Sequence, residues 1–146
     1  MIKVGVIGYG YWGPNIVRNF MESDRSVVKS LSDMRPERLK LAKKRYPGLE
    51  VMTEPEGIFS DSEIDAVAVV TPVRTHFDLA MQALCSGKHV LVEKPLTEFT
   101  DQGEQLVEEA RKRKLTLMVD HTFVYTGAVR QIKDLIASGE LGDIFY

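Results

Sequence analysis

The 146-residue sequence contains one cysteine, Cys85, which excludes an internal disulfide and makes a reducing compartment the simplest expectation. Its three histidines and that cysteine show no zinc-like spacing, so no metal site is expected. Long apolar runs are missing too. The best, Ile64 to Val70, is interrupted by Asp65 and is far too short to cross a bilayer. Met1-Ile2-Lys3-Val4 leads into strand-like sequence without the layout of a signal peptide, which favours a cytoplasmic protein. Neither sign of charge dominates: 19 basic and 21 acidic residues leave a net charge of −2, with no general pull towards nucleic acid or anionic membrane. The basic clusters Lys40–Arg45 and Arg111–Lys114 fall near predicted helix ends, where cations complement the carbonyl end of the dipole. There is no repeat, low-complexity tract or linker.

What remains is an ordinary globular composition at the size of one packed domain. Ile2–Ile7 is a β-branched run ending at Gly8, as a buried strand meeting a tight turn would be. A helical pattern follows from Trp12 to Met21, with Ile16, Val17 and Phe20 on one face. Val27–Ser32 is a second strand closed by Asp33, and a helix runs from Pro36 to Arg45. After a weak strand at Glu50–Met52, Thr53-x-x-Glu56 reads as a capping box opening a short helix. Ile64–Val70 is a strand covered on both faces. The next helix buries Phe77, Ala80, Met81 and Leu84, with Cys85 expected as a small core residue, and ends at Gly87. His89–Val92 (strand), Thr97–Lys114 (helix), Leu115–Val119 (strand) and a helix carrying Val129, Ile132, Leu135 and Ile136 complete the pattern.

Such alternation with short connections implies right-handed crossovers and a doubly wound α/β (Rossmann) domain, its mostly parallel sheet covered by helices on both faces. Gly142–Tyr146 reads as a strand just beginning. The expected division is therefore a dinucleotide-binding domain over 1–142 and, at 143–146, the start of a truncated second domain.

In such a sheet, ligands bind beyond the carboxyl ends of the strands. Gly8-x-Gly10-x-x-Gly13 lies there. Gly8 suits the tight turn, Gly10 the approach of a pyrophosphate to backbone N–H groups, and Gly13 close helix–strand packing. Tyr9, Tyr11 and Trp12 fill the variable positions, where flat side chains can wall a dinucleotide groove. Asp33, 20 residues after Gly13, is where a ribose-binding carboxylate belongs. Its charge would repel a 2′-phosphate and favours NAD over NADP, although Arg35 and Arg38 soften that preference. Glycine turns also serve S-adenosylmethionine-dependent methyltransferases, but those usually carry an acidic residue just before the first glycine, where this chain has Val6-Ile7. At the end of the His89–Val92 strand, Glu93-Lys94-Pro95 offers a lysine able to donate to a substrate oxygen, a carboxylate to hold it and a proline to stiffen the turn. An exposed ion pair is the plainer reading of the same residues.

Taken together, the glycine loop, Thr71-Pro72-x-x-x-His76, Gly87-Lys88-His89-Val90 and Glu93-Lys94-Pro95 resemble the glucose–fructose oxidoreductase, inositol dehydrogenase and MocA family over essentially the whole chain. The resemblance implies a nicotinamide-dependent oxidoreductase acting on sugars, cyclitols or related polyols. It places Lys94 beside nicotinamide and substrate, and Thr71, Pro72 and His76 beside the cofactor, with packing or helix capping open for His76. Gly8–Phe20 and Met118–Arg130 look like the branch that oxidises nucleotide sugars at C3, such as UDP-N-acetylglucosamine 3-dehydrogenases. His121 is then either a second catalytic group or a hydrogen-bonded loop histidine. The resemblance also implies a further substrate domain, so the fragment is expected to bind NAD with little turnover, and a homo-oligomer is compatible with it. The reading from another class is a non-catalytic dinucleotide-binding sensor or regulatory module.

Overall fold

A computed structural model describes residues 1–145. In chain order the elements are β1 (Ile2–Ile7), α1 (Gly13–Glu22), β2 (Ser26–Ser32), α2 (Pro36–Arg45), β3 (Glu50–Met52), α3 (Glu56–Ser60), β4 (Ala66–Val69), α4 (His76–Cys85), β5 (His89–Val92), α5 (Thr100–Arg113), β6 (Leu117–Val119) and α6 (Gly127–Ala137). The strands form one sheet in the order β3-β2-β1-β4-β5-β6, and each of the five neighbouring pairs is parallel. After β3 the chain crosses back to the other side of β1, so the strand order reverses between β1 and β4. That is the crevice where such sheets hold ligands.

Strand periodicity divides the core between the two faces. Val4 and Val6 pack with Val17, Val28, Leu31 and Leu39 beneath α1 and α2, whereas Ile7, Val67 and Val69 pack with Ile58, Leu84 and Leu106 beneath α3, α4 and α5. The basic residues closing α2 and α5 sit in the last turns, as dipole complementarity requires.

Four expectations need correction. Cys85 is exposed: Ala80, Ala83 and Leu84 take the buried face of α4, and its Sγ lies 3.9 Å from Glu109 Oε1 on α5. Thr53 does not cap α3, because Pro55 occupies the N-cap position without a side-chain bond. Tyr9 is a core residue packed with Ile16 and Val70 rather than a wall of the groove. Finally, residues 143–145 form no strand, while Tyr146 lies outside the described residues. The preceding α6 is amphipathic yet buries none of its residues, leaving Val129, Ile132 and Ile136 exposed.

Candidate functional site

Parallel connections deliver the carboxyl ends of all six strands to one edge, and at the β1/β4 switch they enclose a cleft of about 700 Å³. Gly8, Gly10, Tyr11 and Trp12 line it from β1, Asp33 and Arg35 from β2, Thr71 and Pro72 from β4, and Glu93 and Lys94 from β5. Nine of the predicted site residues therefore converge on one space. Gly13, His76, Pro95 and His121 are not in its lining: Gly13 and His76 are buried, and Pro95 and His121 are exposed.

The glycine loop is shaped by close backbone packing. Gly8 has φ +101°, and a Cβ there would come within 2.3 Å of the Val70 carbonyl oxygen. At Gly13 a Cβ would approach the Gly8 carbonyl oxygen to 2.6 Å, so α1 can start this close to β1 only with glycine. Gly10 differs: its Cβ would meet nothing nearer than Arg35 Nη2 at 3.7 Å. Packing within the protein does not require glycine there.

The loop also leaves donors unspent. Gly8 N–H donates to Ser32 O and Tyr9 N–H to Asp33 Oδ2, but among the described residues no acceptor takes the N–H of Gly10, Tyr11, Trp12 or Gly13. The first turn of α1 contains Pro14 and no acidic residue, and its N-cap makes no side-chain bond. A positive helix end with free amides facing a cleft is a site for an anion such as pyrophosphate.

Asp33 is 5% exposed and extensively bonded. Its Oδ2 accepts from Tyr9 N–H at 2.7 Å and Arg35 Nη2 at 2.9 Å, and its Oδ1 accepts from Arg35 Nε at 2.9 Å and the Arg35 N–H at 3.0 Å. Burial pushes this carboxyl up, but the bonds from Arg35 and Tyr9 outweigh it and hold the group below the usual carboxylate range. It stays ionised, with a guanidinium at its solvent side.

On the opposite wall, Glu93 N–H donates to Val69 O and the Lys94 N–H to Glu93 Oε2 at 3.1 Å. The register Val92↔Val119 brings Glu93 next to Asp120. Burial and the neighbouring Asp120 carboxylate raise the Glu93 pKa. The Lys94 side chain has no hydrogen bond or ion pair among the described residues. The Lys94–Pro95 peptide is cis.

Sequence reasoning missed the bidentate Arg35–Asp33 pair, the contribution of Thr53, Glu54 and Pro55 to the lining of the cleft, and Asp120. It also missed the second lysine of the most distinctive motif. Lys88 is 6% exposed at the far edge of the sheet and donates to Asp61 O at 2.6 Å and Ile64 O at 2.8 Å. Its role is to satisfy carbonyls, away from the cleft.

Comparison with known proteins agrees with this geometry. The family described as an oxidoreductase family with an NAD-binding Rossmann fold matches residues 2–121. The NADP-dependent scyllo-inositol 2-dehydrogenase of Bacillus subtilis is 34% identical over 98% of this chain and 39% of its own length. A variant 3-ketoreductase from Actinomadura kijaniata, solved with TDP-benzene and NADP, superposes with a TM-score of 0.86 at 33% identity, over 98% of this chain and 44% of that one. Scyllo-inositol dehydrogenase from Lactobacillus casei, solved with NAD(H) and scyllo-inositol, gives 0.89 at 27% identity, over 99% and 43%. The chain thus spans about two fifths of the length of the curated relatives it matches.

Proposed function

The chain belongs to the glucose–fructose oxidoreductase, inositol dehydrogenase and MocA family of oxidoreductases, and from that premise we propose that it is the cofactor-binding part of an enzyme moving hydride between nicotinamide and a secondary hydroxyl of a sugar, cyclitol or nucleotide sugar. The observation that carries this reading is the convergence, in one cleft, of unspent loop amides, a buried ionised Asp33 and an unpaired Lys94. Those residues fit a dinucleotide: the amides of residues 10–13 take the pyrophosphate, Asp33 the adenosine ribose, and the Thr71-Pro72 and Glu93-Lys94 walls the nicotinamide end. The bound nicotinamide supplies or accepts the hydride. Lys94 donates a hydrogen bond to the reacting oxygen, stabilising the charge that develops there. Glu93 precedes it with a carboxyl raised by burial and by the neighbouring Asp120. Lys94 takes this role ahead of His121, which lies outside the cleft lining.

We assign NAD as the preferred cofactor, because Asp33 presents a buried negative charge where a 2′-phosphate would lie. Arg35 sits over that charge with an exposed guanidinium and makes NADP tolerable. The relatives use both cofactors, so the ratio of affinities is the quantity to measure. Of the substrates, nucleotide sugars oxidised at C3 are the narrower reading supported by Gly8–Phe20 and Met118–Arg130. The test of the cofactor claim is titration of the purified chain with NADH and NADPH, following nicotinamide and Trp12 emission. Saturable NADH binding, tighter than NADPH and reversed in preference by Asp33→Ser, is expected. A flat titration with both cofactors sinks the reading. In a protein containing the substrate domain, Lys94→Met should lower kcat by about 10²-fold or more, far more than it weakens NAD binding. A panel of UDP-sugars, dTDP-sugars and inositols then ranks substrates.

A further inference from the structure

We propose that His76 is a positioning residue that sets Lys94 by cross-linking the two loops on either side of the nicotinamide end of the cleft. The inference rests on the cofactor reading above for its functional meaning, but its geometry stands alone. The last rung between β4 and β5 is Glu93 N–H to Val69 O at 2.9 Å. Past that rung the chains leave the sheet as Thr71-Pro72 and Lys94-Pro95, with no ladder bond to tie them. His76, the first residue of α4 and 1% exposed, occupies the gap. Its Nε2 lies 2.7 Å from Thr71 O and its Nδ1 2.9 Å from Pro95 O. Thr75 Oγ1, 2.8 Å from both Thr71 Oγ1 and Pro72 O, holds the Thr71 side of this link to the same turn.

Lys94 is therefore pinned by its backbone on both sides, through Glu93 N–H before it and Pro95 O after it, while its ammonium has no protein partner to place it. A side chain that must meet a ligand atom without being held by a neighbour needs its Cα fixed. The imidazole does this with two ring nitrogens against two carbonyl oxygens; a carbonyl only accepts, so each contact is a hydrogen bond where that nitrogen carries its proton, and the two loops are tied together at once when both nitrogens are N–H, an arrangement no aliphatic core residue reproduces.

The test compares the wild-type chain with His76→Gln, which keeps an amide donor, and His76→Phe, which keeps volume and loses both bonds. Without any cofactor, amide hydrogen exchange at Glu93 should speed up about tenfold in His76→Phe, while Gly8 N–H on β1 keeps its protection. With cofactor, NADH affinity should fall about fivefold in His76→Phe and less in His76→Gln, whereas affinity for ADP-ribose, which lacks the nicotinamide, stays within about twofold. In a Lys94→Met background, His76→Phe should add nothing to the loss of nicotinamide emission at saturation. Unchanged protection at Glu93, equal losses for NADH and ADP-ribose, or additive losses with Lys94→Met would each overturn the proposal. Failure of the wild-type chain to bind NADH would strike the cofactor reading instead, leaving the exchange result to decide the link itself. Should His76→Phe not fold, His76→Gln carries the same three comparisons.

Discussion

At the amino-terminal edge of the sheet, Lys29 bonds Asp61 and Glu63, Lys3 reaches Glu63 at 2.6 Å, and Lys88 donates to two carbonyls. At the carboxyl edge, the lysine six residues after Lys88 and four consecutive loop N–H groups, Gly10 to Gly13, are left without protein acceptors among the described residues. Both edges are rich in polar groups, yet one spends them internally and the other keeps them available. Hydrogen bonds satisfied within the fold stabilise it, while donors held open in a cleft by packed backbone are what a ligand can use.

Six substitutions test this contrast, and the largest effect belongs to Gly8→Ala. With φ at +101° and a Cβ only 2.3 Å from Val70 O, the substitution should destabilise the chain by about 3 kcal/mol or more in urea unfolding and abolish NADH binding. Next comes Lys88→Met, which strands the buried Ile64 carbonyl, while Asp61 O keeps the Ile64 N–H, and should lower stability by about 1–3 kcal/mol, leaving NADH affinity per folded molecule unchanged. Lys94→Met should do the reverse, with an unfolding midpoint like that of the wild type. A shared phenotype for the two lysines would erase the distinction between the edges.

Gly10→Ala sharpens the comparison further. Nothing in the protein opposes its Cβ, so stability should move by less than about 0.5 kcal/mol while NADH affinity drops about tenfold. Equal NADH binding by this variant would mean that no ligand backbone contact occurs there. The smallest effect is a dependence on pH. The Glu93 carboxyl is raised by burial and by Asp120, so its favourable protonated state contributes below the ordinary value of 4.5 and is lost as pH rises through the higher folded value. Glu93→Gln should therefore raise the melting temperature at pH 8 by a few degrees at most and leave it unchanged near pH 4. Asp61 and Glu63 have the opposite sign: the bond from Lys29 lowers both, and their contribution is lost as pH falls through those lowered values. Glu63→Gln should accordingly matter at neutral pH and not in acid.

Much of this was legible in advance. The order of strands and helices followed from apolar runs broken by glycine and proline. The convergence of Gly8, Gly10, Asp33, Thr71 and Lys94 followed from the rule that parallel strands joined by right-handed crossovers end at one edge. Less legible were choices between neighbours of similar chemistry. Tyr9 and Tyr11 flank one glycine, yet Tyr9 is buried at 3% exposure among Ile16 and Val70 and Tyr11 stands out at 88%. His76 looked like a cofactor contact by its place in a motif, and lies one layer below the cleft. Asp33 and Arg35 were each noticed, but not the three bonds between them, which form only once the backbone past β2 turns Arg35 back over the carboxylate.

Apolar periodicity and the placement of glycine, proline and a few charged residues determined, from the sequence alone, a doubly wound sheet with a glycine-rich loop and a lysine at its carboxyl edge. These signals are local or follow from chain topology. Only the tertiary structure decided which of two lysines flanking β5 satisfies carbonyls and which stays open, how Asp33 is shared between Tyr9 N–H and Arg35, and that His76 joins Thr71 to Pro95. Those outcomes depend on which buried carbonyls lack a donor once strands distant in sequence are packed together, and burial of that kind exists only after the chain has folded.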